Sequence, residues 1–98
     1  MLGVSERPSG AAMDDYLGRV QGLVISLSGT LSPAALDGAQ HLIDRGEPAE
    51  GLLYLAWGIV NEDQVVPLEC VATIFALTDG LVARTDFPPD FAERASSL

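Results

Sequence analysis

Fourteen carboxylates, five arginines, one histidine and one cysteine carry the reactive chemistry of this chain, which has no lysine. His41 and Asp44 stand three residues apart, a spacing that puts both on one face of a helix. A metal site needs three or four ligands, and no further histidine, cysteine or acid is spaced to join them. His41 is therefore expected to be a solvated side chain on an outer helix face. Ser26, Ser28 and Ser32 lie near Gly29 without the Gly-x-Ser-x-Gly elbow of a serine nucleophile. No glycine loop followed by a lysine is present to cradle phosphates. Three carboxylate pairs occur, Asp14-Asp15, Glu47/Glu50 and Glu62-Asp63. To work as acid and base, their proton affinities would have to be driven apart by burial, yet all three fall at predicted helix ends, where water is expected. A lone cysteine excludes an internal disulfide framework and a cysteine-based zinc site, and Cys70 fits the pattern of a small buried hydrophobe. The expectation is a protein that is not an enzyme and holds neither metal nor cofactor.

The chemistry that remains is recognition. In the stretch "PAEGLLYLAWGIVN", Leu52, Leu55, Ala56 and Ile59 mark one apolar helix face. A second stripe, Glu50, Tyr54, Trp57 and Asn61, recurs at three- and four-residue spacing, about a third to half a turn away. Tyrosine and tryptophan among acids have the composition of a binding hot spot. Two placements of Trp57 fit the pattern: packed in the core of a central helix, or standing on a contact surface. The candidate partner-binding residues are Asp44, Glu47, Glu50, Tyr54, Trp57, Asn61, Glu62 and Asp63. The acids at the two ends of this helix are expected at opposite ends of the molecule.

Positioning that stripe requires helices. Residues 1–12, rich in Gly, Ser, Pro and Ala, read as a loose leader, and residues 13–98 as a single helical domain. Tyr16, Leu17, Val20, Leu23, Val24 and Leu27 give the apolar face of a first helix, although "LVISL" leaves a strand open as an alternative. Ser32 and Pro33 suit the cap and first position of a second helix. Its inward face is Ala35, Leu36, Ala39, Leu42 and Ile43, while Asp37, Gln40, His41, Asp44 and Arg45 point away. Gly46 ends it in a left-handed conformation, and Glu47-Pro48 starts the third. A fourth helix is expected from Pro67, with Leu68, Val71, Ile74, Phe75, Thr78, Leu81 and Val82 inward. A last turn in "PPDFAERA" lets Phe91 cover one end of the core. Short links between four amphipathic segments predict an all-α fold, an up-down bundle of four helices plus a short C-terminal helical turn.

The formal charge of −9 repels nucleic acid and anionic membranes and speeds encounter with basic partners. The N-terminus lacks the charged and then apolar stretch of a secretory signal, so a cytoplasmic protein is expected.

The segment "LIDRGEPAEGLLYLAWGIVNEDQVVPLECVATIFAL", Leu42 to Leu77, resembles small bacterial immunity-type proteins, including the MafI-like ones. The matching features are a helix ending in Ile43-Asp44-Arg45-Gly46-Glu47, an Ala/Leu-rich helix, the acidic loop Asn61 to Gln64, and the restart Val66-Pro67-Leu68. Pro48-Ala49 stands where that group carries an aromatic-glycine pair. The resemblance implies an immunity or antitoxin-like protein that binds and neutralises a cognate basic toxin, a nuclease being one option. The residues alone also fit a small helical interaction module or a homodimeric accessory subunit without a toxin partner.

Overall fold

The structure, a computed structural model, describes residues 8–96. Four helices form in the expected order: α1 (Pro8–Ser26), α2 (Pro33–Asp44), α3 (Pro48–Asn61) and α4 (Leu68–Thr78). Two single turns of 3-10 helix follow, at Arg84–Asp86 and Ala92–Arg94. Helix α1 starts at Pro8, so residues 8–12, read from the sequence as leader, are its first turns; the rest of that leader lies outside the described residues. Proline suits a first helical position, where its missing N–H has no partner to lose. In "LVISL" the first four residues are helical and Leu27 follows in a turn, so the stretch is not a strand.

Helix α3 runs through the middle of the bundle. Gly51, Leu52, Leu55, Ala56, Gly58 and Ile59 are all buried on it, and its most extensive neighbour is α2. Small residues let these two helices close together. A Cβ placed on Gly51 would come within 2.8 Å of Ile43 Cγ1 and 3.0 Å of the Ala39 carbonyl oxygen. Helix α1 lies antiparallel to α4: near one end the Tyr16 hydroxyl donates to the Leu77 carbonyl at 2.8 Å, and near the other Ser26 Oγ lies 4.0 Å from Cys70 Sγ. Burial raises the pKa of the Tyr16 phenol above its ordinary value, so the hydroxyl remains a donor. Gln40, expected to point away, instead joins α2 to α1 through a reciprocal amide pair with Gln21, at 2.7 and 3.0 Å.

Helix α4 departs from the sequence expectation in its rotation. Its buried residues are Cys70, Val71, Ile74, Leu77 and Thr78, whereas Leu68 and Leu81 stand 55% and 63% exposed. The helix is apolar on almost every face, so periodicity does not select the inward one; packing against α1 and α3 does. It ends at Thr78, and Leu81 and Val82 follow in a turn closed by the Thr78 carbonyl. The buried Thr78 hydroxyl is satisfied by the Ile74 carbonyl at 2.8 Å.

The C-terminal segment closes the α3–α4 end. Phe91 is fully buried, as expected, and it meets Phe75 and Phe87 with ring centroids 5.2 and 5.7 Å away. The Arg84 guanidinium lies over the Phe75 ring at 3.8 Å, a cation–π arrangement. One feature absent from the sequence expectation is a two-residue parallel ladder: β1 (Val66–Pro67) pairs with β2 (Ala95–Ser96), Val66 opposite Ala95. Pro67 thus precedes α4 in a strand position and is not its first residue. No helix among the described residues is long and apolar enough to cross a membrane.

Candidate interaction surface

Tyr54 and Trp57 stand on the outside of α3, 44% and 41% exposed, so Trp57 is not a core residue. Both rings are held in place. Tyr54 lies on α2 where Gly38 has no side chain: a Cβ there would fall 2.4–2.5 Å from the Tyr54 ring and hydroxyl. Glycine inside a helix costs about 1 kcal/mol relative to alanine, and here it opens the seat for the ring. The Trp57 indole N–H donates to the Asp86 carbonyl at 3.0 Å. The two aromatics thus form a ridge between α2 on one side and the Arg84–Asp86 turn on the other. Such pre-ordered aromatics bind with little loss of side-chain entropy.

A groove runs along each flank of the ridge. One, about 290 Å³, is lined by Ser32, Ala34, Ala35, Gly58, Asn61 and Glu62 together with Tyr54 and Trp57. The other, about 310 Å³, is lined by Leu42, Glu50 and Leu53 with Tyr54, Trp57 and Asn61, and is the more apolar. The expected stripe Glu50, Tyr54, Trp57, Asn61 is therefore one continuous exposed surface. Helix α3, roughly 21 Å long for its fourteen residues, separates the remaining candidates into two ends.

At the α2–α3 turn, Asp44 accepts from Gln40 Nε2 at 3.0 Å, and Glu47 lies 3.8 Å from Arg45. Glu47 also lines a third hollow with Met13, Tyr16, Pro48 and Leu81. At the α3–α4 turn the acids belong to the fold. Glu62 accepts from the Ser32 backbone N–H at 2.8 Å and from the Ser32 hydroxyl at 2.5 Å. The same hydroxyl caps α2 by accepting from the Ala35 N–H. These bonds, the hydroxyl first, hold the Glu62 carboxyl below its usual pKa range. Asp63 pairs with Arg94, which also reaches Asp90 at 3.4 Å.

The structure brings together Glu50, Tyr54, Trp57, Asn61 and Glu62, and leaves Asp44, Glu47 and Asp63 outside the two grooves. Sequence reasoning missed Gly38, Leu42, Leu53 and Asp86. Gly38 had a signal, a glycine within a helical pattern that no cap explains. Asp86 had none, because the contact is through its backbone carbonyl. Among the described residues no three His, Cys, Asp or Glu side chains converge as metal ligands, and His41 is exposed on α2.

The ridge keeps an acidic setting. The described ion pairs use only Arg45 and Arg94 as cations, and Arg84 lies over the Phe75 ring. Glu50, Glu62 and Asp86 around the ridge take part in none of them. Comparisons with known protein families, with curated proteins and with solved structures give no match for this chain.

Proposed function

We propose that this chain binds a basic protein partner through the Tyr54–Trp57 ridge of α3 and blocks it. The observation that carries the reading is the ridge itself: two half-exposed aromatics, seated on Gly38 and tied to Asp86, between two grooves and beside carboxylates left out of ion pairs. Buried aromatic anchors slow release, and unneutralised acids speed the encounter with a positive surface. The resemblance of Leu42–Leu77 to MafI-like immunity proteins gives the role a specific form, neutralisation of a cognate toxin. A toxin that acts on nucleic acid holds phosphates in a basic cleft, and an acidic helical face docked there excludes the substrate.

The test is co-purification of this chain with the products of the genes that neighbour its own, among which a basic toxin-like domain is expected. Wild type should co-elute with that domain and suppress its activity. Tyr54→Ala and Trp57→Ala should each weaken the complex by about 2 kcal/mol or more, with thermal melts showing that both variants remain folded. Folded ridge variants that bind as wild type does would overturn the proposal. So would a chain that elutes as a stable dimer closed over the ridge.

A further inference from the structure

We infer that the groove between the ridge and the start of α2 receives an arginine side chain of the partner. This deepens the proposed function and rests on the ridge being the docking surface. Three features point to that ligand chemistry. First, Tyr54 and Trp57 line the groove, and a guanidinium is drawn to the faces of such rings. Second, Glu62 stands in the same lining with its carboxylate fixed by two bonds from Ser32. Each oxygen accepts one of those bonds and keeps a further lone pair for an outside donor. Third, the Asn61 amide in the lining makes no side-chain hydrogen bond among the described residues, while Ala34, Ala35 and Gly58 keep the floor low.

Fixed carboxylate geometry favours arginine over lysine. A guanidinium is planar, weakly hydrated and able to stack on a ring while donating to a carboxylate in its own plane; an ammonium is compact and strongly hydrated. The groove on the other flank carries the aliphatic Leu42 and Leu53, so it offers a seat for an apolar neighbour of that arginine.

The chain has one tryptophan, so its indole N–H gives one resonance that reports directly on the ridge. The probe is N-acetyl-arginine amide, titrated against the full chain by NMR, with the uncharged isostere N-acetyl-citrulline amide and N-acetyl-lysine amide in parallel. Arginine should shift the Trp57 indole resonance saturably, at least about fivefold more tightly than citrulline. Glu62→Gln, which keeps an acceptor for Ser32, should lose that preference while the melting temperature shows a folded chain. Equal binding of arginine and citrulline, or an unchanged preference in Glu62→Gln, would overturn the inference; lysine binding as tightly as arginine would overturn the choice of arginine. If arginine fails to bind while the ridge variants still release the toxin-like domain, only this inference falls. If arginine binds and the ridge variants still hold that domain, the proposed function falls, and the groove's arginine belongs to no partner docked on the ridge.

Discussion

The two turns that bound α3 have the same hydrogen-bond pattern and opposite commitments. After α2, Gly46 donates to the Ile43 carbonyl and Glu47 to the Leu42 carbonyl; after α3, Asp63 donates to the Val60 carbonyl and Gln64 to the Ile59 carbonyl. Both are Schellman closures with a left-handed residue in the C′ position. Gly46 takes φ +87° with no side chain to strain, whereas Asp63 takes φ 55° and is the one non-glycine residue at positive φ among those described. An L-residue in that region costs about 1–2 kcal/mol. Asp63 gains from it a carboxylate aimed at Arg94, which ties the C-terminal segment to the end of α3. One turn is a plain stop whose acids reach only Gln40 and Arg45 beside them; the other is a joint. Acidic residues of similar sequence character thus bond only to their near neighbours in sequence at one end, while at the other Ser32 and Arg94 hold them from across the fold.

The sharpest way to break this comparison is to remove the freedom of the plain turn. Gly46→Ala places a Cβ in the left-handed region and should cost about 1–2 kcal/mol of unfolding free energy, read from urea denaturation. Asp63→Ala keeps the backbone strain and deletes the Arg94 partner, and should cost up to about 1 kcal/mol. Asp63→Gly separates the two terms, since it relieves the strain while losing the same ion pair. Its net effect should lie within about 0.5 kcal/mol of wild type, and in an Arg94→Ala background it should become stabilising. A destabilisation by Asp63→Gly as large as that of Asp63→Ala would show that the ion pair, not the backbone, governs this turn.

A pH series sharpens the comparison further. The folded-state pKa of Glu62 is lowered, first by the Ser32 hydroxyl and then by the Ser32 N–H. A depressed carboxylate contributes stability that is fully present above its unfolded pKa and is lost as pH falls through the folded value. Melting temperature should therefore drop on acidification from about pH 5 downward, and Glu62→Gln should flatten that drop. The smallest effect belongs to the open turn. Asp44→Asn with Glu47→Gln should change stability by less than about 0.5 kcal/mol, while slowing association with a basic partner at low salt and converging with wild type as salt rises.

Local signals foretold much of the fold and part of the surface. Ser32-Pro33 begins α2 with the Ser32 side chain capping Ala35, and Gly46 ends it at positive φ, because cap and turn chemistry act within a few residues. The stripe Glu50, Tyr54, Trp57, Asn61 was legible from helical spacing, since α3 has a clear inner face. The inward face of α4 was not legible: Leu68 and Leu81 are as apolar as Cys70 and Leu77, and only the neighbours decide which are covered. Nor was the seat of the ridge legible, because Gly38 and Asp86 meet Tyr54 and Trp57 across 16 and 29 residues of sequence. The fate of the acids at the end of α3 was equally hidden, since Ser32 and Arg94 approach them from 30 and 31 residues away.

By itself, then, the amino-acid sequence determined the number and order of the helices, the sites where α2 and α3 begin and end, and an excess of negative charge, because these follow from near-neighbour spacing, capping and composition. Tertiary packing alone decided the rotation of α4, the exposure of Trp57 and which acids are held by residues distant in sequence, because each depends on which distant surface packs against it.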